Sequence, residues 1–134
     1  VNAIADTGFL VALLEARDWH HSWAMRLAED IEWPALTCES VLSETSFHLR
    51  SSKLPLEMVQ HGMLRLAFDC ANNLQHLSDL ASRYSDRHPD LADLCLVRMS
   101  ELYPRHTIIT VDEDFRVYRR NKREAIPLLS PPRK

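Results

Sequence analysis

The chain has 134 residues, ordinary apolar (46%) and charged (26%) content, and a formal charge of −3, which suits one domain with a real core and excludes a disordered or collagen-like polymer. No apolar run approaches the roughly 20 residues of a membrane span, and no basic start with a long apolar centre marks a signal peptide. Cys38, Cys70 and Cys95 are odd in number, far apart and set among apolar neighbours, the pattern of reduced core thiols in a cytoplasmic protein rather than a disulfide framework or a zinc site.

The first stretch, Asn2-Ala3-Ile4-Ala5-Asp6-Thr7-Gly8, carries an apolar run into a carboxylate. It reads as a buried parallel strand, a tight turn and then a helix through Leu14. Asp6 then stands at the carboxyl end of a strand, where functional groups gather in open α/β sheets, although a helix cap is an equal use for an Asp there. A turn at Glu15–Asp18 leads to a helix expected over 19–30, with Trp19, Trp23, Leu27 and Ile31 at four-residue spacing. Adjacent helical residues point about 100° apart, so His20 and His21 read as packing or surface histidines and not as paired ligands.

Pro34–Cys38 reads as a second strand and Glu39–Arg50 as a helix buried along Val41, Leu42, Thr45 and Leu49. Glu44 lies beside that stripe, one turn before His48. An amphipathic helix is expected over Leu56, Val59, Met63, Leu66 and Ala67, a third strand at Leu74–Leu77, and a helix capped by Ser78 that ends near Asp86–Pro89. Asp90 and Asp93 open the most apolar helix as cap and third helical residue, positions that suit acids structurally. Thr107–Val111 is β-branched throughout and delivers Asp112, Glu113 and Asp114. A short helix near Phe115–Arg120 and an edge strand at Ala125–Leu129, marked by Pro127, precede a frayed Pro131–Lys134.

Strands alternating with helices predict a mainly parallel sheet covered on both faces. The ends of the strands and the starts of the helices share one rim, so Asp6, Glu44, Asp93 and Asp112 are expected to converge. Like charges at that range favour protonation unless a cation sits among them, and carboxylate oxygens suit Mg²⁺ or Mn²⁺. Charge is also divided along the chain: residues 1–114 hold 9 basic and 18 acidic groups, and residues 115–134 hold 7 basic and 1 acidic. A body that holds a metal and a basic segment that meets a polyanion would have this division, and so would a solvated tail.

In the order and spacing of Asp6-Thr7-Gly8, Trp19-His20-His21, Thr37 through Glu44, Asp90-Leu91-Ala92-Asp93 and Thr110 through Phe115, the chain resembles PIN-domain proteins, above all the VapC-like toxins of toxin–antitoxin pairs. The resemblance implies a three-layer α/β/α sandwich over residues 1–134 and a metal-dependent endoribonuclease. It implies Asp6 and Asp93 as metal ligands, Glu44 as holder of the metal-bound water, and Asp112 as a further ligand, direct or through water. Thr110 would fix the turn before Asp112, and Asp114 and Asp90 rank lower as site residues. A small antitoxin and a homodimer are implied in the same way. Arg116, Arg119, Arg120, Lys122 and Arg123 are candidates for the RNA backbone. Two other readings compete: a phosphotransfer enzyme with Asp6 as nucleophile, which lacks the second acid expected at Gly8, and a PIN-like RNA-binding or interaction module without catalysis.

Overall fold

A computed structural model describes residues 1–132. Strands β1 (Ala3–Ala5), β2 (Ala35–Thr37), β3 (Leu64–Leu66), β4 (Thr107–Ile109) and β7 (Leu128–Leu129) form one sheet in the order β3-β2-β1-β4-β7, and every neighbouring pair is parallel. Ile4 pairs with Leu36 on one side and Ile108 on the other. All three residues of β1 are fully buried, as an apolar central strand covered on both faces must be. Helices α1 (Thr7–Leu14), α2 (His21–Ala28), α3 (Glu39–Leu49), α4 (Lys53–Gln60), α5 (Leu74–Arg83) and α6 (Leu91–Leu102) flank the sheet, giving the three-layer α/β/α sandwich expected from the sequence. Helix α6 buries Leu94, Leu96, Val97 and Met99 on several sides, which suits a helix at the centre of the packing.

Several elements depart from the sequence reading. The helix expected through Ala67 stops at Gln60, because Gly62 takes φ +78°, a conformation that ends helices cheaply only at glycine. Met63, Leu66 and Ala67 then belong to β3 and its flanks rather than to a helical stripe. Leu74–Leu77 is the first turn of α5 and not a strand; Leu77 and Leu80 are buried at a spacing of three, which a four-residue apolar run could not reveal. Helix α2 begins at His21, two residues late, because Asp18 holds a turn: its side chain accepts from the His20 amide at 2.8 Å and its carbonyl from the His21 amide at 3.0 Å. Trp19 is therefore 75% exposed instead of packed.

Beyond Asp112 the short helix is a single 3-10 turn, Glu113–Arg116, followed by an antiparallel hairpin of β5 (Arg119–Arg120) and β6 (Glu124–Ala125). Ala125 thus leaves the last strand, which is confined to Leu128–Leu129. That strand does lie at the sheet edge, as Pro127 implied. The frayed end expected at Pro131–Lys134 falls partly on Arg133 and Lys134, outside the described residues. Among the described residues, no helix is long and apolar enough to cross a membrane.

Candidate active site

The end of β1 and the end of β4 are tied together through one hydroxyl. Asp6 is the cap of α1: its Oδ1 accepts from the Thr7 amide at 2.7 Å, and its Oδ2 accepts from the Thr110 hydroxyl at 2.6 Å. The Thr110 oxygen in turn accepts from the Asp112 amide at 2.9 Å. Thr110 is fully buried, so this link excludes water. It fixes Asp6 against the turn that carries Asp112, whose own carboxylate accepts from the Asp114 amide at 2.8 Å. Gly8 lets the two turns approach so closely: a Cβ at that position would run into the Val111 side chain.

The other acids come from helices. Glu44 lies midway along α3, and its Oε1 accepts from the Thr7 hydroxyl at 3.1 Å. Asp90 caps α6 by accepting from the Asp93 amide at 2.9 Å, which leaves the Asp93 carboxylate in the first turn and half-buried. Asp6, Glu44, Asp90, Asp93 and Asp112 line one cleft of about 370 Å³. The structure thus brings together the four leading sequence candidates and Asp90. It does not put Asp114 on the cleft wall; that side chain pairs with Arg87 at 3.3 Å.

Burial, and after it the neighbouring carboxylates, raise the pKa values of these acids. Burial, then Asp90, Asp6 and Asp112, push the Asp93 carboxyl up to about 8. Burial pushes Asp6 up to about 6 against the pull of its bonds from Thr110 and Thr7, with smaller contributions from the Asp112 and Glu44 charges. Glu44 is raised as well, by burial and then by Asp90. These are groups poised to hold protons unless positive charge replaces them.

The five carboxylates offer oxygen donors, which suit a hard divalent cation. As the side chains lie, no three His, Cys, Asp or Glu groups among the described residues close around one point. Asp6 and Asp93 are the pair whose raised pKa a divalent charge would reverse.

Three further cleft residues escaped the sequence reading: Asp18, His20 and His48. His48 stands one turn beyond Glu44, a spacing that places both on one helix face and was visible in the sequence. His20 and His21 divide their roles. His21 Nδ1 bonds the Ala12 carbonyl at 2.8 Å, a packing role, whereas His20 reaches the cleft.

The basic segment is mostly tied into the fold. Arg116 bonds Glu113 at 2.7 Å and the Ser130 hydroxyl at 2.8 Å. Arg119 donates to the carbonyls of Arg116 and Tyr118. Arg120, its side chain 12% exposed, bonds Glu124 and the carbonyls of Ser100 and Pro104. Lys122 and Arg123 are exposed in the hairpin turn.

No family model and no curated protein matches the chain. Among solved structures, it is similar to Mycobacterium tuberculosis VapC20, a toxin that cleaves the sarcin–ricin loop, with a TM-score of 0.70 and 20% identity over 80% of this chain and 87% of that one. The resemblance to VapC-like PIN proteins read from the motifs therefore holds at the level of the fold: this chain has the PIN-like three-layer α/β/α architecture.

Proposed function

We propose that the chain is a Mg²⁺- or Mn²⁺-dependent endoribonuclease that hydrolyses RNA phosphodiester bonds, acting as the toxin of a toxin–antitoxin pair in the cytoplasm. The observation that carries this reading is the meeting of Asp6, Glu44, Asp93 and Asp112 in one cleft at the carboxyl edge of the sheet, on a fold shared with a toxin that cuts RNA. The motif resemblance supports the same activity and adds a small antitoxin and a homodimer as partners.

In this mechanism Asp6 and Asp93 would hold the ion, Asp6 in an orientation fixed by Thr110 and the Thr7 amide. A divalent ion bound there would supply a lowered pKa for a bound water and offset charge on the phosphate. Glu44, anchored at Oε1 by the Thr7 hydroxyl, would take the proton of the attacking water on its other oxygen as the P–O bond to the leaving ribose oxygen breaks and that oxygen is protonated from solvent; burial and Asp90 raise its basicity toward that task. Asp112, braced by the Asp114 and Thr110 bonds, orients the water from the opposite turn. Of the basic segment, Lys122 and Arg123 in the exposed hairpin turn are the cations open to the RNA backbone, because Arg120 is held by Glu124 and the carbonyls of Ser100 and Pro104.

The test is cleavage of a labelled hairpin RNA, the sarcin–ricin loop first, in Mn²⁺ and in chelator, beside Asp6→Asn and Asp93→Asn. Metal-dependent cutting that both variants lose by at least ~100-fold, the scale of removing a group that stabilises charge in the transition state, is expected. Intact RNA in every lane, with no Mn²⁺ bound by the wild type, would instead identify a PIN-like interaction module.

A further inference from the structure

Apart from the acid cleft, all three cysteines of the chain line one pocket of about 540 Å³. They arrive from three places: Cys38 at the cap of α3, Cys70 just before the turn that leads into α5, and Cys95 within α6. Cys38 and Cys95 are buried and Cys70 is half-buried. The side chains of Cys38 and Cys95 meet, close enough for one thiol to bond the other. We infer that this pair is a modification site, at which a hydroperoxide closes a Cys38–Cys95 disulfide, and that the closed bond disables the neighbouring acid cleft. The effect on the cleft rests on the endoribonuclease reading; the oxidation of the thiols does not.

The pocket gives the buried sulfurs an approach. Its lining includes the exposed Asp69, Ala71 and Leu91, so a molecule as small as a peroxide reaches the thiols while the core stays folded. Cys38 is the sulfur that attacks. Contact with Cys95 lowers its pKa from the ordinary thiol value, burial opposes this, and the Val41 and Ser40 amides at the start of α3 add to the lowering, as helix N-termini do for thiols. The Cys38 thiolate attacks one oxygen of hydrogen peroxide and the O–O bond breaks. The other oxygen leaves as hydroxide, takes up the proton that Cys38 gave to solvent, and a sulfenic acid remains. The Cys95 sulfur then attacks the Cys38 sulfur, the S–O bond breaks, and the departing hydroxide takes the Cys95 proton. Two thiols have lost two electrons and one peroxide has become two waters. No step needs Cys70.

The new bond acts where the cleft is assembled. Cys38 directly follows Thr37, whose hydroxyl bonds the Ala5 carbonyl at 2.9 Å beside Asp6, and it opens the helix that carries Glu44. Cys95 lies two residues beyond Asp93 on α6, and α6 packs against α3. Disulfide sulfurs stand about 2.05 Å apart, nearer than two unbonded thiols. Closing the bond therefore draws the start of α3 toward α6 and shifts Glu44 against Asp93. A misplacement of about 1 Å at a reacting group costs about 100-fold in rate.

The test treats the reduced full chain with hydrogen peroxide, blocks the remaining thiols after denaturation, and maps the peptides by mass spectrometry. Mn²⁺-dependent cleavage of hairpin RNA is measured on the same samples, before and after dithiothreitol. A loss of two hydrogens is expected, with Cys38 joined to Cys95 and Cys70 free. Cleavage is expected to fall about 100-fold and to recover on reduction, and Cys70→Ser is expected to behave as the wild type in both respects. Cys38 and Cys95 still free after peroxide, or either of them joined to Cys70, would overturn the site. The disulfide formed with cleavage unchanged would overturn its hold on the cleft. RNA left intact by the reduced chain as well would overturn the nuclease reading, while the peptide map would still decide the thiol site.

Discussion

Asp6 accepts two short hydrogen bonds, from the Thr7 amide and the Thr110 hydroxyl, yet its carboxyl is still pushed up to about 6 by burial. The Thr110 bond is thus a restraint that keeps the acid from rising further. Its removal has two consequences that separate geometry from charge. In Thr110→Val the Asp6 oxygen and the Asp112 amide each lose a partner in a buried place, at a cost of about 1–3 kcal/mol. The pKa of Asp6 also rises, since a bond to the charged form has been lost. Denaturant unfolding is expected to show that loss of stability, and the acid limb of the cleavage profile is expected to move to higher pH. Thr110→Ser, which keeps the hydroxyl, restores both. A variant that loses stability while its pH profile stays in place would show that Thr110 braces the turn without tuning Asp6. Asp6 and Thr110 were legible in the sequence because each ends an apolar strand. The hydroxyl bond between them was not, since it joins residues 104 positions apart and only the pairing of β1 with β4 brings them together.

At the scale of elements, α6 shows one residue serving structure and site at once. Asp90 caps the helix through the Asp93 amide, and its charge is, after burial, the largest contribution to the raised pKa of Asp93 and of Glu44. The two roles separate by substitution. Asp90→Ala removes the cap and costs about 1 kcal/mol. Asp90→Asn keeps an acceptor oxygen and discards the charge, so in chelator at pH 8 it is expected to be at least as stable as the wild type, because Asp93 then ionises with less repulsion. Urea unfolding of the two variants checks this, and equal losses in both would contradict the charge argument. This double use explains what could be read from the sequence. Asp90 and Asp93 were visible as cap and first-turn residue, and β1, β2 and β4 stood out as runs of apolar or β-branched residues ending at Asp6, Cys38 and Asp112. The middle of the chain was harder, because Leu74–Leu77 and Leu64–Leu66 are short apolar runs whose period is ambiguous. Gly62 was the available marker; its positive φ separates α4 from β3. Trp19 was misplaced for a related reason: the Asp18 turn, a matter of one side-chain bond, shifts the start of α2 and turns that residue out of the expected stripe.

Across the whole molecule, the cleft makes the metal-free protein sensitive to pH in a direction opposite to that of most proteins' carboxylates. An acid whose folded pKa lies above its unfolded value binds more protons in the folded state, so stability is present below the unfolded value near 4 and is lost as pH rises through the folded one. For Asp6 that window runs from about 4 to about 6, and for Asp93 it extends to about 8. Ionising the buried Asp6 alone corresponds to about 3 kcal/mol at one pKa unit per 1.36 kcal/mol. In chelator the melting temperature is therefore expected to fall between pH 5 and pH 8.5, and Asp93→Asn is expected to flatten the upper part of that fall. A divalent ion reverses the logic, since it binds the ionised carboxylates and displaces protons. Saturating Mn²⁺ is thus expected to raise the melting temperature by more at pH 8.5 than at pH 6, and to do so little in Asp93→Asn at either pH. A melting temperature that is level with pH in chelator would mean that the acids are less buried and less crowded in solution than in this cleft. A Mn²⁺ effect of the same size at both pH values would mean that the ion binds elsewhere, on carboxylates already ionised at pH 6.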